Sequence, residues 1–160
     1  MPPSDGSPSP QLGALYQELL LDHFRRPRNR GKLEHPDVTI SKKNPLCGDV
    51  IELELAFDGD TVRDLKFKGQ GCAISQASAS MMTQLLKGKP MAEVEQLAQR
   101  FAQMISGDEA AAQDKSLGDL RALAGVAKLP VRVKCALLAW GALAEGMAKK
   151  ERYAPRISPR

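Results

Sequence analysis

The chain predicts an α+β fold built on a small three-stranded antiparallel sheet, and two observations support this prediction. The first is the alternation of apolar and acidic residues over 51–57, followed by the turn signal Asp58-Gly59-Asp60 and a second strand-like run over 61–68. The second is a change to helical spacing after residue 72, which continues to about residue 149. A short apolar alternation over 38–42 supplies the third strand of a simple meander.

The predicted helices are bounded by residues that start or stop a helix. The first spans 11–25 and ends before Pro27, because a proline restricts the residue that precedes it. Pro130 opens the last helix, as proline does at a first helical position. The elements after residue 72 are, in order, helices over 73–86 and 91–105, a loop over 106–116, a short helix over 117–127 and a last helix over 130–149.

The 160 residues are predicted to form one domain, 11–150, between two tails. Residues 1–10 are mostly proline, serine and glycine, a composition typical of disorder. Residues 151–160 are basic, carry two prolines and are predicted to have no fixed fold. Because aromatic residues make up only 4% of the chain, the core should consist mainly of leucine, alanine, valine and methionine.

The net charge of +4 comes from basic clusters over 25–32 and 149–160. Two solvated basic ends are the simplest interpretation, and a docking surface for an acidic partner is the alternative. No aromatic residues interleave with these charges, so no nucleic-acid partner is expected. No stretch approaches the ~20 apolar residues of a membrane span. The odd cysteine count and the absence of a secretory signal predict a reducing, cytoplasmic location.

Three cysteines and one aspartate form the candidate metal site: Cys47, Asp49, Cys72 and Cys135. They include every thiol of the chain, and each lies at a predicted structural break. Three thiolates and a carboxylate form a ligand set suited to zinc or iron. The carboxylate is the more exchangeable ligand and favours a site that can open. The alternative is that three scattered cysteines are buried small apolar residues without a ligand role.

The surroundings of two thiols favour their deprotonation. Cys72 and Cys135 lie near predicted helix N-termini, where the helix dipole favours a thiolate. Arg132 and Lys134 add positive charge beside Cys135.

The two histidines are not predicted to be ligands. His23 is expected to be a surface or half-buried residue of the first helix, and His35 an exposed turn residue. No Ser-His-Asp arrangement is evident in the sequence. The methionines at helical positions are expected to fill the core; they are Met81, Met82, Met91 and Met104.

Several segments together resemble the iron–sulfur cluster assembly family that includes IscU, SufU and the N-terminal part of NifU. The resemblance covers about residues 12–149, and its motifs lie at 15–29, 44–49, 67–75 and 132–135. Within the family the chain is most similar to the SufU type. The stretch between Cys72 and Cys135 is longer than in the scaffold branch, and Lys134 stands where that branch has a histidine.

The resemblance implies an α+β fold with the helices packed on one face of the sheet. It also implies a zinc ion held by Cys47, Asp49, Cys72 and Cys135, and sulfur transfer from a cysteine desulfurase. Cys47 would leave the metal and accept the persulfide sulfur, which would pass to downstream iron–sulfur assembly proteins.

Two other functions remain open at this point. The same four residues would serve a scaffold that holds a transient [2Fe–2S] cluster. They would also serve an adaptor in which the metal is only structural.

Overall fold

The computed structural model describes residues 10–45 and 48–157 and confirms the α+β fold with a three-stranded antiparallel sheet. The elements are α1 (Pro10–Arg25), β1 (Val38–Asn44), β2 (Asp49–Asp58), β3 (Thr61–Gln70), α2 (Ala73–Leu86), α3 (Met91–Ile105), α4 (Glu109–Ala112), a 3₁₀ segment (Lys115–Lys128) and α5 (Pro130–Ile157). The bounds of α2 and α3 are those predicted from the sequence.

The sheet has the strand order β1-β2-β3, and its register brings three strand ends to one end of the sheet. Asn44, the last residue of β1, pairs with Asp49, the first residue of β2. Val50 pairs with Gln70, the last residue of β3. The end of β1, the start of β2 and the end of β3 therefore lie side by side, and α2 begins three residues after Gln70.

A β-bulge explains why the apolar residues of β3 do not alternate throughout. Ala56 pairs with Asp64, whereas the next residue, Phe57, pairs with Val62. The extra residue in β3 shifts the alternation by one position, so that Val62 and Leu65 are both fully buried.

The helices pack against the apolar face of the sheet. Ile51, Leu53 and Leu55 of β2 are fully buried on this face, as their alternation predicted. In α5, Gly146 lies so close to the Leu55 side chain that a Cβ atom would collide with it. α5 also contacts α2, where Ser78 donates a hydrogen bond to the Ala136 carbonyl at 2.7 Å.

The four methionines predicted to fill the core are buried there. The single tryptophan, Trp140, stacks on Phe101 with the ring centroids 4.6 Å apart. This buried pair makes Trp140 a natural optical reporter of folding.

The region between α3 and α5 differs from the prediction. The loop expected over 106–116 contains α4, whose N-cap Asp108 accepts hydrogen bonds from two backbone N–H groups. The short helix expected over 117–127 is part of a 3₁₀ segment that is interrupted at Gly118. A 3₁₀ helix repeats every three residues, and the buried side chains of this segment follow that period: Leu117, Leu120, Leu123 and Val126.

His23 was predicted to be a surface or half-buried residue, and this prediction is wrong. Its side chain is fully buried between α1, α2 and the 3₁₀ segment. Nδ1 lies 2.8 Å from the Ser80 hydroxyl oxygen, and Nε2 lies 2.9 Å from an Asp119 carboxylate oxygen. Hydrogen-bond partners on two other elements satisfy both ring nitrogens, which is what allows the imidazole to be buried. His35 is exposed, as predicted.

The predicted tails are only partly within the described residues. α1 begins at Pro10, and residues 1–9 lie outside the described range. α5 continues to Ile157, past the predicted end near Lys149. The sequence Lys149-Lys150-Glu151-Arg152 consists of good helix formers, which accounts for the extension. Within the described range, no helix is both long and apolar enough to cross a membrane.

Candidate metal centre

Three of the four predicted ligands converge at the end of the sheet where β1 ends, β2 begins and β3 ends. Asp49 begins β2, Cys72 is the N-cap residue of α2, and Cys135 lies near the start of α5. One carboxylate oxygen of Asp49 and the sulfurs of Cys72 and Cys135 all lie within 4.8 Å of one another. The fourth predicted ligand, Cys47, lies outside the described residues, so its place at this centre remains a prediction.

Asp49 holds the backbone of Cys72 as well as facing its sulfur. The Cys72 N–H donates to Asp49 Oδ1 at 2.8 Å, and the Cys72 thiol donates to Asp49 Oδ2 at 3.5 Å. Asp49 is only 1% exposed. Its carboxylate therefore lies at the N-terminal end of α2, where the helix dipole and the backbone N–H groups favour negative charge. One oxygen is used for the backbone, and the other remains directed at the site.

Gly71 makes this close approach possible. Its φ of +149° lies in a region that side-chain-bearing residues rarely adopt. A Cβ atom on Gly71 would also overlap the Asp49 carboxylate. The glycine before Cys72 is thus required for two reasons, the backbone conformation and the space that Asp49 occupies.

Cys135 is the more deeply buried of the two described thiols, with 1% of its surface exposed, whereas Cys72 is half-buried. The Cys135 thiol donates to the Val131 carbonyl one turn earlier in α5, at an S···O distance of 4.0 Å. The side-chain amide of Asn44 donates to the same sulfur at 3.9 Å. Cys135 is therefore fixed between its own helix and the end of β1.

Arg132 reaches both described thiols, which goes beyond its predicted place beside Cys135. The negative charge of the Cys72 thiolate, together with hydrogen bonds to the sulfurs of Cys135 and Cys72, raises the pKa of Arg132. Its side chain is exposed, so it borders the centre on the solvent side. Lys134, the other predicted basic neighbour, is also exposed.

The chemistry of these donors fits a zinc ion. Zinc takes four ligands, with bonds of about 2.3 Å to sulfur and about 2.0–2.2 Å to carboxylate oxygen, which puts ligand atoms about 3.3–3.8 Å apart. The present spacing within 4.8 Å needs only a small contraction. Two thiolates and a carboxylate carry a formal charge of −3, so zinc leaves −1, and the Arg132 guanidinium lies where it can offset that charge.

The buried His23 is not part of this centre. Among the residues that the structure describes, the one group of three or more potential metal ligands is Asp49, Cys72 and Cys135. Ser80, His23 and Asp119 are the residue types of a hydrolase triad, an arrangement that the sequence did not suggest. However, Ser80 is fully buried and its hydroxyl also accepts the Arg28 N–H at 2.8 Å. These three residues therefore connect α1, α2 and the 3₁₀ segment. The buried Ser80 hydroxyl and His23 imidazole are not accessible to a substrate.

Comparison with known proteins identifies the family. The model of the NifU-like N terminal domain matches residues 15–151. The chain belongs to this family. It is 47% identical over 142 residues to the zinc-dependent sulfurtransferase SufU of Bacillus subtilis, covering 88% of this chain and 94% of the relative. It is 45% identical over 139 residues to the iron-sulfur cluster assembly scaffold protein IscU of Streptococcus pyogenes, covering 87% and 86%.

A solved structure of the family has the same fold. It is the crystal structure of a protein named as a putative iron-sulfur cluster assembly scaffold protein for the SUF system, from Fervidobacterium islandicum; the TM-score is 0.75 and the identity 35%, covering 83% of this chain and 96% of the other. The NifU-like family and its fold were thus correctly predicted from the four motif segments.

Proposed function

We propose that this protein is a zinc-dependent sulfur acceptor for iron–sulfur cluster assembly, which takes the persulfide sulfur of a cysteine desulfurase. The observation that supports this most directly is the convergence of Asp49, Cys72 and Cys135 within 4.8 Å beside Arg132. The 47% identity to a zinc-dependent sulfurtransferase over 88% of the chain supports the same activity. Thiolate ligands at such a centre suit the reducing cytoplasm.

The proposed roles divide the four ligands into three that stay and one that leaves. A bound zinc ion would keep its cysteine ligands deprotonated and restrained. Cys135 is suited to stay because it is buried in α5, and Cys72 because Asp49 fixes its backbone at the start of α2. Cys47 belongs to the connection between β1 and β2, and we assign it the acceptor role.

The transfer step is a thiol–disulfide type of exchange. The Cys47 thiolate attacks the outer sulfur of the desulfurase persulfide, and a new S–S bond forms to Cys47. The S–S bond within the donor persulfide breaks, and the desulfurase cysteine leaves as a thiolate. One thiolate and one persulfide are present before and after the step, so no external oxidant or reductant is needed.

The positive charge of Arg132 complements the negative charges of the groups that react. Both the donor persulfide and the product are anions, and the centre itself is already negative. An exposed guanidinium in contact with Cys72 and Cys135 can attract the incoming anion and offset the added charge.

The surface beside the centre suits a protein partner. Leu129 is 51% exposed and Val131 is 72% exposed, although both side chains are large and apolar. They flank Pro130 at the start of α5, and the basic residues Lys128 and Arg132 lie on either side of this apolar stretch. We infer that a desulfurase with an apolar, acid-rimmed surface around its persulfide docks here.

The decisive experiment measures desulfurase turnover and the sulfur that this protein receives. The wild type should accelerate alanine release from cysteine and gain the mass of one sulfur atom on Cys47. Cys47→Ala should do neither. Alanine release stimulated by Cys47→Ala as strongly as by the wild type would exclude Cys47 as the acceptor. Elemental analysis of each sample reports whether zinc is bound in a one-to-one ratio.

The scaffold function is the second candidate, and the 45% identity to a scaffold protein supports it. Reconstitution with iron and sulfide, followed by visible spectroscopy, separates the two functions. A stable [2Fe–2S] spectrum that persists against added zinc would favour the scaffold. For an adaptor with a purely structural metal, Asp49→Ala would lower stability and leave partner stimulation intact.

A further inference from the structure

Asn44 connects two parts of the chain that meet at the proposed metal centre. It is the last residue of β1 and pairs in register with Asp49. Its backbone carbonyl accepts the Gly48 N–H at 2.8 Å, one residue before β2 begins. Its side-chain amide donates to the sulfur of Cys135, which lies 91 residues later in the sequence, at 3.9 Å. Only 6% of Asn44 is exposed, so this amide is removed from bulk water.

We propose that Asn44 is a positioning residue of the metal centre, which holds the Cys135 thiolate through its side-chain amide and ties it to the end of β1. This inference rests on the metal centre proposed above and adds a residue outside the four ligands.

The need for such a donor follows from the burial of Cys135. As a thiol, Cys135 can donate its proton to the Val131 carbonyl. As a metal-bound thiolate it has no proton to donate, and a buried negative sulfur without hydrogen-bond donors is costly. The N–H groups of the Asn44 amide can donate hydrogen bonds to the thiolate from inside the protein, whereas Arg132 donates from the exposed side.

A donor of this kind is expected to act on the metal as well as on the geometry. N–H groups that donate to metal-bound sulfur orient the ligand and reduce its electron donation. Because Asn44 also pairs with Asp49 and accepts the Gly48 N–H, a shift of Asn44 would move the start of β2 relative to α5. The metal centre should therefore respond to Asn44 even though Asn44 is not a ligand.

Two substitutions of similar size test the donor. Asn44→Leu removes all polar groups, and Asn44→Asp replaces the donating amide with an acceptor that adds negative charge. Zinc affinity, measured by competition with a chelating dye, should fall about 10- to 100-fold in Asn44→Leu, the range typical of residues that support metal ligands. It should fall further in Asn44→Asp.

The chain offers a matched control in its only other asparagine, Asn29. The Asn29 amide donates to the Thr83 hydroxyl at 3.2 Å, away from the centre. Asn29 has a φ of +56°, which aspartate also tolerates. Asn29→Asp should leave zinc affinity unchanged. Equal zinc affinity of wild type and Asn44→Leu would overturn the inference.

Two spectroscopic measurements separate positioning from general loss of stability. In the cobalt-substituted protein, the thiolate-to-cobalt charge-transfer band should shift in Asn44→Leu and stay in place in Asn29→Asp. In the ¹¹³Cd-substituted wild type, the Asn44 side-chain amide protons should show coupling to the metal through the N–H···S bond. This second measurement needs no substitution, so it decides the matter even where the variants fail to fold.

The outcomes distinguish this inference from the proposed function. A wild type that binds neither zinc nor cadmium would overturn both. A wild type that binds cadmium without coupling to the Asn44 amide would overturn the role of Asn44 and leave the metal centre intact.

Discussion

The Asp49 carboxylate accepts the backbone N–H of Cys72 at 2.8 Å, so that one predicted ligand fixes the backbone of another. Oδ1 accepts this bond, whereas Oδ2 faces the Cys72 sulfur at 3.5 Å, so Oδ2 is the oxygen that we expect to bind a metal ion. Asp49 should therefore bind zinc through one oxygen while its other oxygen supports the start of α2.

Asp49→Asn separates these two roles. The asparagine carbonyl can still accept the Cys72 N–H, but its amide group would face the metal, and an amide nitrogen carries protons and no free lone pair. Zinc affinity should fall by more than about 100-fold, beyond the usual effect of a supporting residue. The free energy of unfolding of the metal-free protein should change little, whereas Asp49→Ala should lower it by about 1–3 kcal/mol because a buried N–H loses its partner. Dye competition and chemical denaturation measure the two effects. Wild-type zinc affinity in Asp49→Asn would contradict the assignment of Asp49 as a ligand.

Gly71→Ala should disrupt the same pair by steric overlap. The added Cβ would overlap the Asp49 carboxylate in a backbone region that alanine rarely adopts. We expect loss of zinc binding and a lower melting temperature. Gly88→Ala is the matched control, because Gly88 has a φ of +84° and open space around its Cβ position. Gly88→Ala should show the cost of the backbone conformation alone and retain zinc. Equal zinc affinity of the two variants would exclude the overlap as the cause.

The buried contact between His23 and Asp119 should make a measurable contribution to stability. It joins α1 to the 3₁₀ segment over 96 residues, and at neutral pH the carboxylate accepts, so His23 Nε2 carries the proton. His23→Leu should lower the free energy of unfolding by about 1–3 kcal/mol, since it removes a hydrogen bond to a charged group. Zinc affinity should not change, because neither residue belongs to the metal centre. Trp140 fluorescence during urea unfolding measures the stability, and a double-mutant cycle with Asp119→Asn isolates the pair.

The same contact predicts a direction of pH dependence. Burial raises the pKa of Asp119, but hydrogen bonds from His23 and Gln84 lower it more, and the net shift is downward. A carboxylate with a lowered folded-state pKa stabilises the protein above its unfolded-state pKa of about 3.9, and this contribution is lost as the pH falls through the folded-state pKa. The stability deficit of Asp119→Asn should thus be present at pH 5 and shrink towards pH 3. A deficit that grows on acidification would contradict this assignment.

Local sequence signals predicted most of the elements and marked the candidate ligands, and they failed where contacts are distant in sequence. α2 and α3 combine helical spacing with Gly88 and Pro90 as stop signals, which fixed their bounds. Asp49 and Cys72 each follow a glycine at the end of a helix or strand, and this local pattern identified them as candidate ligands. By contrast, the burial of His23 depends on partners 57 and 96 residues away, and the contact of Asn44 with Cys135 spans 91 residues. No local pattern encodes such pairs.

The sequence predicted a helix over 117–127 but did not identify it as a 3₁₀ helix. Its buried residues repeat every three positions, which is the period of a 3₁₀ helix, but over a few turns this resembles one face of an α-helix. Long runs of 3₁₀ helix are uncommon, so the spacing alone did not identify the type of helix. The three-residue spacing of Leu117, Leu120, Leu123 and Val126 was the available signal.

Arg132 should matter more for sulfur transfer than for the fold. Its exposed guanidinium contacts both described sulfurs, so Arg132→Ala removes the positive charge beside a negative centre. We expect the stimulation of alanine release to fall at least about 10-fold, which corresponds to about 1.4 kcal/mol of lost transition-state stabilisation. The melting temperature of the metal-free protein should stay close to that of the wild type, because an exposed side chain adds little to folding.

Two further variants identify what the Arg132 side chain supplies. Arg132→Lys keeps the positive charge but lacks the planar guanidinium, whose several N–H groups can donate to two sulfurs at once. It should therefore retain more stimulation than Arg132→Ala and less than the wild type. Lys134→Ala removes an exposed neighbouring charge and should have a smaller effect than Arg132→Ala. If Arg132→Ala and Lys134→Ala reduce stimulation equally, and both effects vanish at high salt, the contribution is long-range attraction of the partner. A deficit specific to Arg132 that persists at high salt requires direct contact with the reacting sulfurs.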